Sequence, residues 1–157
     1  MNQNIKVLIV GSRVWKSYDI LKDVAIKNIA RLQVELGASL SKFEIVSGGA
    51  PGADTFAEMF AKEYGIKFTP INADWDDLKS VPCVIKIKAD GTKYNALAGF
   101  NRNTKLVEYT KSSERAVCLA FSSGQSRGTA DTIMKCVKNG IDVIKTVEKK
   151  PVMKKGK

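Results

Sequence analysis

Ser47-Gly48-Gly49-Ala50-Pro51-Gly52-Ala53-Asp54 decides the fold of this chain. It follows the apolar run Phe43 to Val46 and precedes a stretch in which Phe56, Phe60 and Tyr64 recur at helical spacing until Gly65. A strand, a glycine-rich turn and a helix in that order form half of a βαβ unit. Glycine lets backbone N–H groups come close to an anion, and the helix N-terminus adds partial positive charge. A single glycine after a strand is more often a plain turn, so one such loop defines no site.

Two further segments repeat the arrangement. Gly11-Ser12-Arg13 follows Ile5 to Val10, an apolar run broken only by Lys6. Beyond it Leu21, Ala25, Ile29, Leu32 and Leu36 recur at helical spacing, with Asp19 as candidate cap and Gly37 as stop. Ser126-Arg127-Gly128-Thr129 follows the run Ala116 to Phe121 and opens a helix from Gly128 to Lys138, closed by Gly140. Continuous apolar runs mark parallel strands covered on both faces. In such a sheet the strand-to-helix loops gather at the strand carboxyl ends. Three loops of this kind therefore point to one shared anion site, in which Arg13 adds a planar fork of donors.

The remaining chain completes an α/β order. Ile66 to Ile71 and Ile141 to Ile144 read as further strands, and a helical pattern runs from Leu97 to Tyr109. Residues 72–96 interrupt the alternation. Val84-Ile85-Lys86-Ile87-Lys88 has period two and leads into Ala89-Asp90-Gly91-Thr92, a hairpin signal. The pattern predicts a three-layer, Rossmann-like α/β sandwich with a mainly parallel sheet and an inserted β-hairpin flap at 80–95. It forms one domain over residues 1–146, followed by a basic, disordered tail at 147–157.

Composition sets the outer limits. A chain of 157 residues with 44% hydrophobic content can bury one full core. No apolar run reaches the ~18 residues that span a bilayer, and Met1-Asn2-Gln3-Asn4 leads straight into a strand without a signal-peptide pattern, so a cytoplasmic location is expected. Cys83, Cys118 and Cys136 are odd in number and show no paired motif, which fits a reducing compartment, and Cys118 and Cys136 lie in apolar runs as buried small hydrophobes. The net charge is +10, but residues 145–157 hold six lysines and one glutamate and so carry half of it. That tail either touches nucleic acid and acidic surfaces or only aids solubility.

The set Gly11-Ser12-Arg13, Ser47 to Asp54, Ala73-Asp74-Trp75, Ala98-Gly99-Phe100-Asn101-Arg102-Asn103 and Ser126 to Thr129 resembles the YspA-like branch of the SLOG superfamily. That superfamily groups the LOG phosphoribohydrolases, the DNA-processing protein A family and nucleotide-sensing domains of bacterial defence systems. The resemblance implies a nucleotide pocket lined by Ser47, Gly48, Gly49, Ala50, Gly52 and Asp54. It also implies a phosphate cradle at Ser126, Arg127, Gly128 and Thr129, and self-association, since LOG relatives complete their sites across a dimer. Members that cleave an N-glycosidic bond carry glutamates after the glycine-threonine step; here Asp131 stands two residues after Thr129, and Thr132 follows.

Individual side chains keep two readings each. Asp54 is either an N-cap or an acceptor for ribose hydroxyls, and Arg13 and Arg102 are phosphate clamps or surface arginines. Trp75 either stacks on a base beside Asp74 or anchors the flap. The chain has no histidine, so a hydrolase would rely on carboxylates, with Asp131, Asp54 and Glu58 as the catalytic set. No metal-ligand cluster is visible, although phosphates together with Asp54 or Asp74 could recruit a divalent ion. Binding of a nucleotide-type small molecule is the expected function. A LOG-like phosphoribohydrolase is the first alternative and single-stranded DNA binding the second.

Overall fold

The structure, a computed structural model, describes residues 4–79, 82–124 and 126–148. The elements run β1 (Ile5–Gly11), α1 (Tyr18–Leu36), β2 (Phe43–Ser47), α2 (Ala53–Tyr64), β3 (Lys67–Pro70), β4 (Ile85–Ile87), β5 (Lys93–Asn95), α3 (Ala98–Lys111), β6 (Arg115–Ser122), α4 (Arg127–Lys138) and β7 (Asp142–Val147). β1 is buried from Ile5 through Val10, Lys6 included, because it lies at the centre of a five-stranded parallel sheet of order β3-β2-β1-β6-β7. Val7 pairs with Ile45 on one side and with Val117 on the other.

Alternate residues of the strands feed two cores, as the period of a strand requires. Val7, Ile9, Ile45, Leu119 and Phe121 pack with α1 and α2, where Leu21, Ala25, Leu32, Ala57 and Phe60 are buried. Leu8, Val10, Val46, Cys118 and Ala120 face the opposite layer with Leu106 and Val107 of α3 and Cys136 of α4. The result is the expected three-layer α/β sandwich, with the hairpin β4–β5 set apart as a separate antiparallel pair. Asn95 ties that hairpin to the body: its backbone N–H donates to Trp75 O at 2.7 Å, and its Oδ1 accepts from Val84 and Leu97.

Local chemistry moves several boundaries. α1 is capped by Ser17 rather than Asp19, because Ser17 holds an extended backbone and its Oγ accepts from Ile20 N–H at 3.2 Å. Asp19 sits inside the first turn, where it still favours the helix dipole. Asp54 is likewise not the cap of α2; Gly52 takes that place, and Asp54 lies in the first turn. β7 continues through Val147, and Glu148 N–H donates to Ser122 O at 2.9 Å, so paired structure enters the segment assigned to the tail. The rest of that tail, 149–157, and residues 80–81 of the flap lie outside the described residues.

Candidate functional site

The sheet order creates a crevice. From β1 the chain builds outward to β2 and β3, then returns to place β6 and β7 on the other side, so the loops after β1 and β6 part above the sheet. Ligands of open α/β sheets bind at such a switch point. Here it holds a cavity of about 440 Å³ lined by Gly11, Ser12 and Arg13, by Ala50 and Asp54, by Phe100, Arg102, Asn103 and Leu106 of α3, and by Ser126, Gly128, Thr129 and Thr132. A smaller hollow of about 220 Å³ adjoins it, lined by Arg13, Gly48, Gly49, Ala50, Pro51, Asn72, Ala73, Trp75 and Arg102. Arg13, Ala50 and Arg102 border both.

Arg102 is fixed between these spaces. Its Nη1 donates to Gly48 O at 2.6 Å and its Nε to Asn103 Oδ1 at 3.0 Å. Gly48 leaves room for it, since a Cβ there would lie 2.7 Å from that guanidinium and 2.9 Å from Asp54 Oδ2. Burial pushes the Arg102 pKa down, the Asp54 charge raises it, and the neighbouring Arg13 lowers it again. Arg13 is exposed and, among the described residues, forms no ion pair. Two guanidinium groups thus border one space with no carboxylate paired to either at contact distance.

Asp54 is 6% exposed. Its Oδ2 accepts from Ala50 N–H at 3.1 Å, while its Oδ1 is buried with no hydrogen-bond partner among the described residues. Burial raises its pKa above the usual aspartate value, against the Ala50 N–H and the nearby Arg102, which favour the anion. An unpaired buried acceptor costs about 1–3 kcal/mol.

α4 opens toward the same space. Ser126 caps it, its Oγ accepting from Thr129 N–H at 3.3 Å and sharing a hydrogen bond with Thr129 Oγ1 at 2.9 Å. Ser126→Ala is expected to cost about 1 kcal/mol in urea denaturation through loss of this cap. Gly128 lines the cavity with open space at the position a Cβ would take, and its carbonyl accepts from Asn103 Nδ2 at 3.2 Å and Thr132 Oγ1 at 3.1 Å.

Other residues named from the sequence lie elsewhere. Ser47 is buried and its hydroxyl donates to Ile9 O at 2.7 Å, a tie between β2 and β1. Arg127 is exposed and borders a separate hollow beside Lys145. Asp74 borders a cavity of about 420 Å³ between the flap and α3. Gly52 lies at the back of the loop, against the backbone of Ser12 and Arg13. Of the three carboxylates in the catalytic set, only Asp54 lines the switch-point cavity. Asp131 Oδ2 receives Lys135 Nζ at 2.6 Å and Asn103 Nδ2 at 3.2 Å, and Glu58 on α2 pairs with Lys62 at 3.5 Å. Phe100, Thr132 and Asn72 line these spaces and were not singled out by sequence; Thr132 follows Gly128 by four residues, one helical turn.

Among the described residues no group of three or more His, Cys, Asp and Glu could hold a metal ion, and no helix is long and apolar enough to cross a membrane.

An α/β sandwich with a crevice at its switch point, bordered by Arg13 and Arg102, is the class this architecture defines. The family model described as "YspA, cpYpsA-related SLOG family" matches residues 5–77. The Gene 61 protein of Mycobacterium phage D29 is 33% identical over 144 residues, which cover 88% of this chain and 94% of that protein. The chain belongs to the YspA, cpYpsA-related SLOG family. Among solved structures, DNA processing protein A from Streptococcus pneumoniae aligns with TM-score 0.46 and 18% identity, over 90% of this chain and 58% of that one. Phenylacrylic acid decarboxylase from Aquifex aeolicus aligns with TM-score 0.34 and 17% identity, over 91% and 81%. Family membership supports a nucleotide- or DNA-related role at the level of the family.

Proposed function

We propose that this protein captures a nucleotide or nucleotide-derived signalling molecule in the switch-point cavity, as a sensor or sequestering protein. Arg13 and Arg102 neutralise the phosphates, and the N-terminus of α4 supplies further attraction for an anion. The observation that carries this reading is the pair of guanidinium groups, Arg13 and Arg102, that border both hollows at the switch point. Arginines with no carboxylate at contact distance favour an anionic ligand, and a nucleotide carries that charge on its phosphates.

Capture is favoured over N-glycosidic hydrolysis because one carboxylate, Asp54, faces the cavity while Asp131 is held by Lys135 and Asn103. The protein is read as cytoplasmic and self-associating, with exposed Ile85 and Ile87 of the flap supporting association. Isothermal titration with a panel of nucleoside mono-, di- and triphosphates, followed by chromatography of the mixture, tests the proposal. Retention of intact nucleotide at micromolar affinity is expected. Release of free base would move the assignment to a phosphoribohydrolase. Binding of single-stranded DNA alone, with affinity falling steeply with salt, would move it to a DNA-binding module.

A further inference from the structure

We infer that the open edge of β7, together with the outer face of α4, is a docking surface for an extended segment of another protein, which adds a further strand to the sheet and carries a carboxylate between apolar residues. This goes beyond ligand capture and does not rest on it.

Among the described residues β7 ends the sheet, with β6 on one side only. Glu148 N–H donates to Ser122 O, so the two-residue period of a strand turns the main-chain groups of Val143, Lys145 and Val147 away from β6. Such a row of groups is a template for another strand. The side chains of the same residues lie on the α4 side, since Val143 packs against the core of Cys118, Ala120 and Cys136 while Ile144 packs in the opposite core.

α4 completes the surface. Arg127, Ala130 and Ile133 border a hollow of about 330 Å³ with Lys145. The helical period carries that face on to Met134 and Val137, which are 48% and 65% exposed, and Val147 of β7 is 57% exposed. An apolar stripe beside an open strand edge suits the alternating side chains of an added strand.

The charge around the stripe has one sign. Arg127, Lys138 and Lys145 form no ion pair among the described residues. The nearby carboxylates are turned elsewhere: Asp131 meets Asn103 and Lys135, while Asp142 and Glu148 share the strand face of Ile144. Beyond Glu148 the sequence adds Lys149, Lys150, Lys154, Lys155 and Lys157. A second copy docked here would bring basic surface against basic surface, so the occupant is an acidic partner and not this chain itself. Opposite Lys145 the added strand carries Glu or Asp within reach of Arg127, and two residues to either side it carries Val or Ile against Val143 and Val147. Residues on its other face are neutral, because Asp142 and Glu148 repel acids there. A nucleic acid would satisfy the lysines but would leave the apolar stripe and the strand edge unmatched.

The fluorescein-labelled peptide Thr-Val-Thr-Glu-Thr-Val-Thr, titrated with the full chain and followed by anisotropy, tests the inference. Saturable binding is expected, and replacing the central Glu of the peptide by Lys should weaken it about 5-fold or more. Replacing both Val by Ser should weaken it by a similar factor. Lys145→Glu should invert the charge preference, so that the lysine peptide binds this variant more tightly than the glutamate peptide does. Arg127→Glu gives a second reading from α4, should β7 not tolerate its substitution. The inference is overturned if no saturable binding is seen, or if neither charge reversal alters the preference between the two peptides. It is equally overturned if the serine peptide or a short single-stranded oligonucleotide binds as tightly as the first peptide, since the surface would then be a plain polyanion patch.

Discussion

Gly11→Ala is expected to destabilise the protein by about 3 kcal/mol, while Gly128→Ala leaves stability unchanged or raises it by up to about 1 kcal/mol. Both residues were assigned from the sequence to one anion site, yet their surroundings differ. A Cβ on Gly11 would lie 2.2 Å from Phe121 O and 2.7 Å from Ala53 Cβ. Neither neighbour can yield cheaply. Ser12 N–H donates to Phe121 O at 2.8 Å, and Ala53 N–H donates to Ser12 O at 3.2 Å, so the end of β1 is fastened both to β6 and to the start of α2. Gly11 thus lets three elements converge, and its contribution to the site is to bring the loops together. Gly128 has open space at the Cβ position and lies in the first turn of α4, where alanine favours the helix. Gly128 also lines the cavity, so a methyl group there should weaken nucleotide binding several-fold. Urea denaturation and titration calorimetry on the two variants separate the roles. Equal stability of Gly11→Ala and the parent would refute the convergence of these loops.

The glycine contrast shows which parts of the architecture the chain makes legible. Ile5 to Val10 and Ala116 to Phe121 read as buried parallel strands because both faces of each are covered, and β1 and β6 lie side by side in the sheet. Helix caps were harder, since Asp19 and Asp54 are suitable cap residues in the right neighbourhood. What decides a cap is backbone conformation, and Ser17 and Gly52 hold the non-helical geometry there. The site was legible as a set of loops and less so side chain by side chain. Gly128, Asp131 and Thr132 lie within about one helical turn, but Thr132 lines the cavity whereas Asp131 meets Asn103 and Lys135. The partner helix α3 determines that division, and no local spacing encodes the partner. Asn72 and Phe100 escaped for the same reason: their importance arises from loops and helices distant in the chain.

Arg102→Met is expected to weaken nucleotide affinity by about 100-fold, because a fixed charge-assisted hydrogen bond to phosphate contributes about 1.5–3 kcal/mol. The same change has a signature in the free protein. Burial already raises the Asp54 pKa, and Arg102 is among the groups that hold it down. Without that cation the folded carboxyl should bind its proton still more tightly. A carboxyl whose folded pKa exceeds its unfolded value binds more protons when folded, so its stabilising contribution is present at low pH. That contribution is lost as pH rises from about 4, the unfolded aspartate value, through the folded pKa. Arg102→Met should therefore show a larger fall in stability across this window than the parent. Adding Asp54→Asn should remove the extra fall, since the titrating group is gone. Urea denaturation of parent, Arg102→Met and the double variant at a series of pH values reads this directly. Parallel profiles for parent and Arg102→Met would mean that the arginine does not act on Asp54, and the electrostatic coupling between the two would have to be abandoned.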